Sequence, residues 1–207
     1  MKQQIDIKTW ERRELFQVFS VFEEPFYGVC VSVDCTKAYL RAKELKTSFF
    51  LYYLHKSLTA ANMIQHFRYR IEDGQVYLYD RIDAATTVDR PDKIFAFSGN
   101  VVFNTDYKIF EHIALEEIDR VRKAESILNK CDNNTIHYSA VPWINFTSMS
   151  HARRLSIHDS CPKISFGKMM EQNGVRTMPM SIHVHHALVD GFHLGQYIDL
   201  FQKIMDE

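Results

Sequence analysis

The chain has 207 residues, 46% hydrophobic and 25% charged, the balance of a globular protein large enough to bury a core without covalent staples. Lys and Arg number 25 against 26 Asp and Glu, so the basic excess that nucleic-acid or anionic-membrane binding demands is missing. No apolar run reaches the roughly 18 residues of a membrane span.

The opening MKQQIDIKTWERREL is polar and holds no apolar signal core. Residues 10–18 read as a short helical or capped segment. The apolar, β-branched run FYGVCVSV at 26–33 predicts a strand. Asp34 or Thr36 is placed to cap a helix over 37–44. Over 48–66, Phe49, Leu51, Tyr52, Leu54, Leu58 and Met63 recur at helical spacing. Strands at 68–72 and 76–81 flank Glu72-Asp73-Gly74-Gln75, an Asp-Gly hairpin signal. Ile109, Ile113, Ile118, Val121 and Ile127 predict a charged helix over 107–130. Strands follow at 136–147 and 163–171. Asn173-Gly174 turns into a further strand at 176–186. Leu194, Tyr197, Ile198, Phe201, Ile204 and Met205 then share one face of a last helix at about 191–205. No linker, repeat or composition shift divides the chain, so residues 1–207 read as a single domain. The four cysteines, Cys30, Cys35, Cys131 and Cys161, form no CxxC pair. The expectation is a cytoplasmic protein with reduced thiols and no metal.

Chemistry concentrates in Ser181-Ile182-His183-Val184-His185-His186-Ala187-Leu188-Val189-Asp190-Gly191. A strand runs in, a tight connection follows, and a helix starts near Gly191. Alternate strand residues share a face, so Ile182, Val184 and His186 point one way and Ser181, His183 and His185 the other. An imidazole held at a strand end is a good general base near neutral pH. His186 is the candidate base. Asp190 is placed to cap the last helix or to pair with an arginine that holds the turn. A zinc site is the competing reading of the histidines. Adjacent His185 and His186 point apart, and no cysteine or carboxylate completes a familiar ligand pattern.

The segment resembles the active-site signature of the chloramphenicol acetyltransferases, and three further stretches extend the resemblance over nearly the whole chain. Trp10-Glu11-Arg12-Arg13-Glu14-Leu15-Phe16 resembles the family's Trp-x-Arg-x-Glu-x-Phe. Ser139-Ala140-Val141-Pro142-Trp143 resembles its Ser-Ala-x-Pro-Trp. Ser165-Phe166-Gly167-Lys168 resembles its Thr-Met-(Ala/Gly)-Lys. Condensation domains of peptide synthetases and the acyltransferase cores of 2-oxo acid dehydrogenase complexes carry relatives of the His motif. A complex-type acyltransferase would bring a lipoyl domain and a Pro/Ala-rich linker, and these 207 residues hold neither.

The resemblance implies an α/β two-layer sandwich, a mixed sheet covered by helices. It implies a cytoplasmic homotrimer with active sites at subunit interfaces, moving acetyl from acetyl-CoA to a hydroxyl of chloramphenicol or a related small molecule. By resemblance His186 is the base, its ring held by its own backbone carbonyl, and Asp190 salt-bridges Arg12. Ser139 donates to the oxyanion, and Ser165 keeps a hydroxyl near the intermediate. Lys168 matches a lysine near the ribose phosphate of coenzyme A, and Trp143 a residue near the pantetheine arm. Read alone, Trp143 and the Met169-Met170 pair look like core residues, and Lys168 like a solvated lysine. Phe19, Tyr27 and His137 fall on acceptor-pocket positions. That pocket is largely apolar in the family, yet Glu23, His137, His151, Arg153 and Lys163 line or border it here. Buried charge is costly unless paired. Either these side chains turn away, or the acceptor is more polar than chloramphenicol. A non-catalytic trimeric homologue is the remaining alternative.

Overall fold

The computed structural model describes residues 1–127, 130–153 and 159–207. A mixed sheet carries the order β2-β10-β8-β7-β5-β6, with β9 pairing beside β10. Its strands are β2 (Phe26–Asp34), β5 (Asp83–Val88), β6 (Ala96–Phe97), β7 (Thr135–Ala140), β8 (Lys163–Phe166), β9 (Met170–Gln172) and β10 (Val175–His185). β2, β10 and β8 pair antiparallel; β8, β7 and β5 pair parallel. A small sheet joins β1 (Lys2–Gln4), β4 (Gln75–Tyr79) and β3 (Tyr69–Glu72). The helices are α1 (Arg13–Phe19), α2 (Thr36–Glu44), α3 (Phe49–Met63), α4 (Tyr107–Lys123) and α5 (Gly191–Met205).

The expected α/β sandwich with a mixed sheet is present. Both hairpin signals hold: Asp73 and Gly74, and Asn173 and Gly174, take the positive φ their turns require. Asp34 accepts the Thr36 N–H at 2.8 Å just ahead of α2, whose N-cap position is Cys35 without a side-chain cap. Three expectations shift. The strand expected over 136–147 ends at Ala140, before Pro142. The strand expected over 163–171 breaks at Gly167 into β8 and β9. A Cβ on Gly167 would lie 2.7 Å from the Ile144 carbonyl, so this close crossing requires glycine. The helix expected over 107–130 stops at Lys123, and residues 128 and 129 lie outside the described ones. β1, β5 and β6 had no sequence signal.

Alternation along β10 sorts the sheet into two chemistries. On one face Met180 lies opposite Phe166 and Val31, and Ile182 opposite Ile164 and Val29. This face packs under α3 and α5, where Ile182, Val184, Ile164, Tyr197 and Phe201 are fully buried. Inside that layer the Ser57 hydroxyl meets the Tyr138 and Tyr197 hydroxyls at 2.8 and 2.5 Å, tying α3 to β7 and α5. The other face is polar. Ser139, Ser165 and Ser181 form one row across β7, β8 and β10, and His137, Lys163 and His183 the next.

Arg70 on β3 locks the small sheet to the start of β7. It is 1% exposed and donates to the carbonyls of Phe67, Tyr69, Asn133 and Thr135 at 2.6–2.9 Å. Replacing it with methionine leaves those buried carbonyls unpaired. Arg70→Met is expected to lower stability by about 3 kcal/mol, read from urea denaturation midpoints.

Candidate active site

β10 delivers His186 one residue past its end, where the His186 N–H still donates to the Pro25 carbonyl at 2.9 Å. Its ring turns to the apolar face, beside Tyr27, which neighbours Val184 across β2. It stacks on Phe19 of α1, centroids 4.0 Å apart and planes 5° apart, with Tyr27 at 4.3 Å. The bond expected from the ring to its own carbonyl is not formed. Nδ1 is buried with no hydrogen-bond partner among the described residues, while the carbonyl accepts from Arg12 Nη2 at 3.4 Å. Packing between two aromatic rings orients the imidazole instead.

Asp190 fills both expected roles. Its Oδ2 pairs with Arg12 Nη1 at 2.8 Å, and its Oδ1 caps α5 through the N–H groups of Phe192 and His193. Arg12 is only 6% exposed, so this pair is held largely away from water. Hydrogen bonding to Arg12 and the nearby His193 keep the Asp190 carboxyl below its ordinary pKa, against the opposing cost of burial. Two residues take places the sequence reading did not give them. His193 Nδ1 lies 2.8 Å from Asp190 Oδ1, and its ring stacks on His66 with centroids 3.4 Å apart. His193 stands at the third helical position, where a capping box places a side chain that reaches back. That spacing was the available signal; nothing local marked His66.

The second cluster lies on the polar face. Ser165 Oγ is 3.4 Å from His151 Nε2, and Ser139 is its neighbour in register. One row along, Lys163 forms an ion pair with Asp159, an acid the sequence reading missed, and donates to the Cys161 carbonyl at 3.3 Å. Arg153 pairs with Glu24, and its guanidinium sits 3.7 Å over the Phe26 ring. Lys163 and Arg153 are thus each paired with a carboxylate, which neither of the two expected outcomes named. Lys163, Arg153, Asp159 and His137 line a 660 Å³ cavity. Glu23, exposed on the surface, borders an adjoining 450 Å³ hollow. Desolvation, reinforced by Lys163, pushes His137 down to about 4. Burial does the same to His151 beside His183, and to His185 beside Arg153, each to about 4.

The two clusters do not meet within one chain. Ser165 lies opposite Ser181, five residues before His186, which is about 17 Å of strand. His186 also faces the other side of the sheet. One chain therefore holds the His186 cluster and the serine row apart. Trp143 and Lys168 lie at a third place, the corner beyond β7 and β8, where the Lys168 N–H donates to the Ile144 carbonyl at 2.8 Å. Trp143 is 79% exposed, which corrects its reading as a core residue. Met169 packs against the core while Met170 is exposed. Cys35 and Cys161 are buried, whereas Cys30 and Cys131 are only partly so, and all four are free. Among the described residues no His, Cys, Asp or Glu group forms a metal-binding cluster, and no helix is long and apolar enough to cross a membrane.

The model of the family described as "Chloramphenicol acetyltransferase" matches residues 2–202. A chloramphenicol acetyltransferase of Klebsiella sp is 28% identical over 204 residues, 98% of this chain and 93% of that one. A solved chloramphenicol acetyltransferase superposes with a TM-score of 0.92 at 32% identity, covering 99% of this chain and 100% of that one. A truncated catalytic core of the 2-oxoacid dehydrogenase multienzyme complex from Thermoplasma acidophilum shares the fold, with a TM-score of 0.67 at 15% identity over 99% of both chains.

His66, His137, His151 and His185 each have a pKa of about 4 in the fold against an ordinary 6.5. The unfolded chain therefore binds their protons first. Stability is complete above pH 6.5 and falls as pH drops from there towards 4. Urea midpoints measured across this window should show that decline, and His137→Phe should flatten it.

Proposed function

The chain belongs to the chloramphenicol acetyltransferase family and is an acyltransferase, and from that premise we propose that it transfers acetyl from acetyl-CoA to a hydroxyl of chloramphenicol or a related small molecule. The separation of the base and hydroxyl half-sites supports the reading most directly. His186 lies on one face of the sheet, Ser139 and Ser165 on the other, so a complete site needs a second copy of the chain. A closed ring of three copies, each lending one half-site to its neighbour, meets that need with every site filled.

In this reading His186 Nε2 accepts the proton of the acceptor hydroxyl as its oxygen attacks the thioester carbonyl. Phe19 and Tyr27 keep the ring in place, and the Arg12–Asp190 pair holds the turn that presents it. Ser139 of a neighbouring copy donates its hydroxyl to the oxyanion of the tetrahedral intermediate, and the Ser165 hydroxyl lies beside it. As the intermediate collapses, the carbon–sulfur bond breaks and His186 returns its proton to the departing thiolate. Both substrates react directly. Exposed Trp143 and Ile144 offer an apolar rest for a pantetheine arm, and exposed Lys168 a charge for a phosphate.

His186→Ala is expected to cut kcat/KM by about 10³-fold or more without changing the size of the assembly. Retained turnover in that variant would remove His186 from the mechanism. Ser139→Ala should lower kcat by roughly 10²–10³ with little change in KM, because its bond is made in the transition state. Initial rates of thiol release from acetyl-CoA, with gel filtration of each variant, check both.

A further inference from the structure

The turn that presents His186 is held by a second side chain besides Arg12. Asp190 Oδ2 receives Arg12 Nη1 at 2.8 Å, while Oδ1 lies 2.8 Å from His193 Nδ1. That Nδ1 is also 3.3 Å from the Asp190 N–H, and one ring nitrogen cannot donate to the first and accept from the second. Burial, aided by Arg12 and opposed by Asp190, lowers the His193 pKa, so the ring is neutral near pH 7 and carries one N–H. An accepting Nδ1 would turn its lone pair on the lone pairs of a carboxylate oxygen. Nδ1 therefore carries the proton and gives Oδ1 a hydrogen bond strengthened by the carboxylate's charge. Each oxygen of Asp190 then has its own side-chain donor.

His193 is itself braced. It is 9% exposed, and His66 lies flat against its ring, centroids 3.4 Å and planes 23° apart. His66 sits in the short turn Gln65–Arg68 that leads into β3. It stands edge-on to Tyr69 at 5.6 Å, and Tyr69 meets Trp10 at 5.1 Å. The brace thus comes from the small sheet, outside α5.

The hold on Asp190 reaches His186 by two routes. Arg12 Nη2 donates to the His186 carbonyl at 3.4 Å. Arg12 also starts α1, its carbonyl taking the Phe16 N–H at 2.8 Å, and α1 carries the Phe19 ring stacked on His186. Because His186 Nδ1 has no hydrogen-bond partner among the described residues, its backbone and its ring contacts set where it points.

We infer that His193, braced by His66, is a positioning residue whose Nδ1–H fixes the Asp190 carboxylate and, through Arg12, the direction of the His186 imidazole. The inference rests on the acetyl-transfer reading and gives neither residue a step in the chemistry.

The test measures thiol release from acetyl-CoA with chloramphenicol, and the melting temperature, for the intact protein and three variants. His193→Leu removes the donor. His193→Asn puts an amide N–H about where Nδ1 stands. His66→Leu keeps the donor and removes the brace. The kcat of His193→Leu is expected to fall about tenfold or more with both KM values nearly unchanged, because a base displaced by about 1 Å loses rate rather than binding. His193→Asn should return kcat to within about threefold of wild type, and His66→Leu should fall between the two. A smaller loss in His193→Leu, whatever its melting temperature, overturns the inference, since a residue that only capped α5 would act on stability alone. So does an equal loss in His193→Asn, which would mark the packing of the ring and not its N–H. If His193→Leu does not fold, a kcat of His66→Leu no lower than that of His193→Asn overturns it. All of these leave acetyl transfer standing, whereas wild-type protein that releases no thiol overturns both.

Discussion

Everything functional in this protein depends on the two-residue alternation of β10, a strand paired on both sides. Hydrogen bonds to β2 and β8 fix its register, so no side chain on it can change face without breaking both ladders. Ile182 and Val184 are thereby committed to the helix layer, and Ser181 and His183 to the opposite face. His186 inherits the apolar side and comes to rest between Phe19 and Tyr27. A slip of one residue would put His185 there and bury a serine against α5.

The polar face carries the cost of this arrangement. Lysine, three imidazoles and a row of serines lie under little solvent, and each needs a partner or must stay neutral. Lys163 has Asp159, while His137, His151 and His185 remain uncharged. Arg70 solves the same problem with four carbonyls and no carboxylate. Arg12 solves it with Asp190, and that pair also sets where α5 begins. The turn presenting His186 is consequently tied to the N-terminal segment through one ion pair spanning nearly the length of the chain.

The division into half-sites follows from the same alternation. His186 on one side of the sheet and the Ser139–Ser165 row on the other stay apart within one chain. Family membership and the TM-score of 0.92 to a solved chloramphenicol acetyltransferase show that this alternation belongs to a shared fold.

Much of this was legible in the sequence, because the signals were local. The apolar period of α5, the Asp-Gly and Asn-Gly turns, the alternation ahead of His186 and the placement of Asp190 each depend on residues a few positions apart. The four motif stretches added the family. β5 was not legible: Asp83-Ala84-Ala85-Thr86-Thr87-Val88 is buried on both faces, shows no alternation and takes its strand from its neighbours. The ends of β7 and β8 were overrun because Pro142 and Gly167 act through the crossing they permit. The stack of His66 on His193 and the ion pair of Lys163 with Asp159 required the packed chain. So did the orphaned Nδ1 of His186. The sequence alone determined which residues could do chemistry. Only the tertiary structure decided which of them share a face, because strand register, not spacing, sets what lies opposite what.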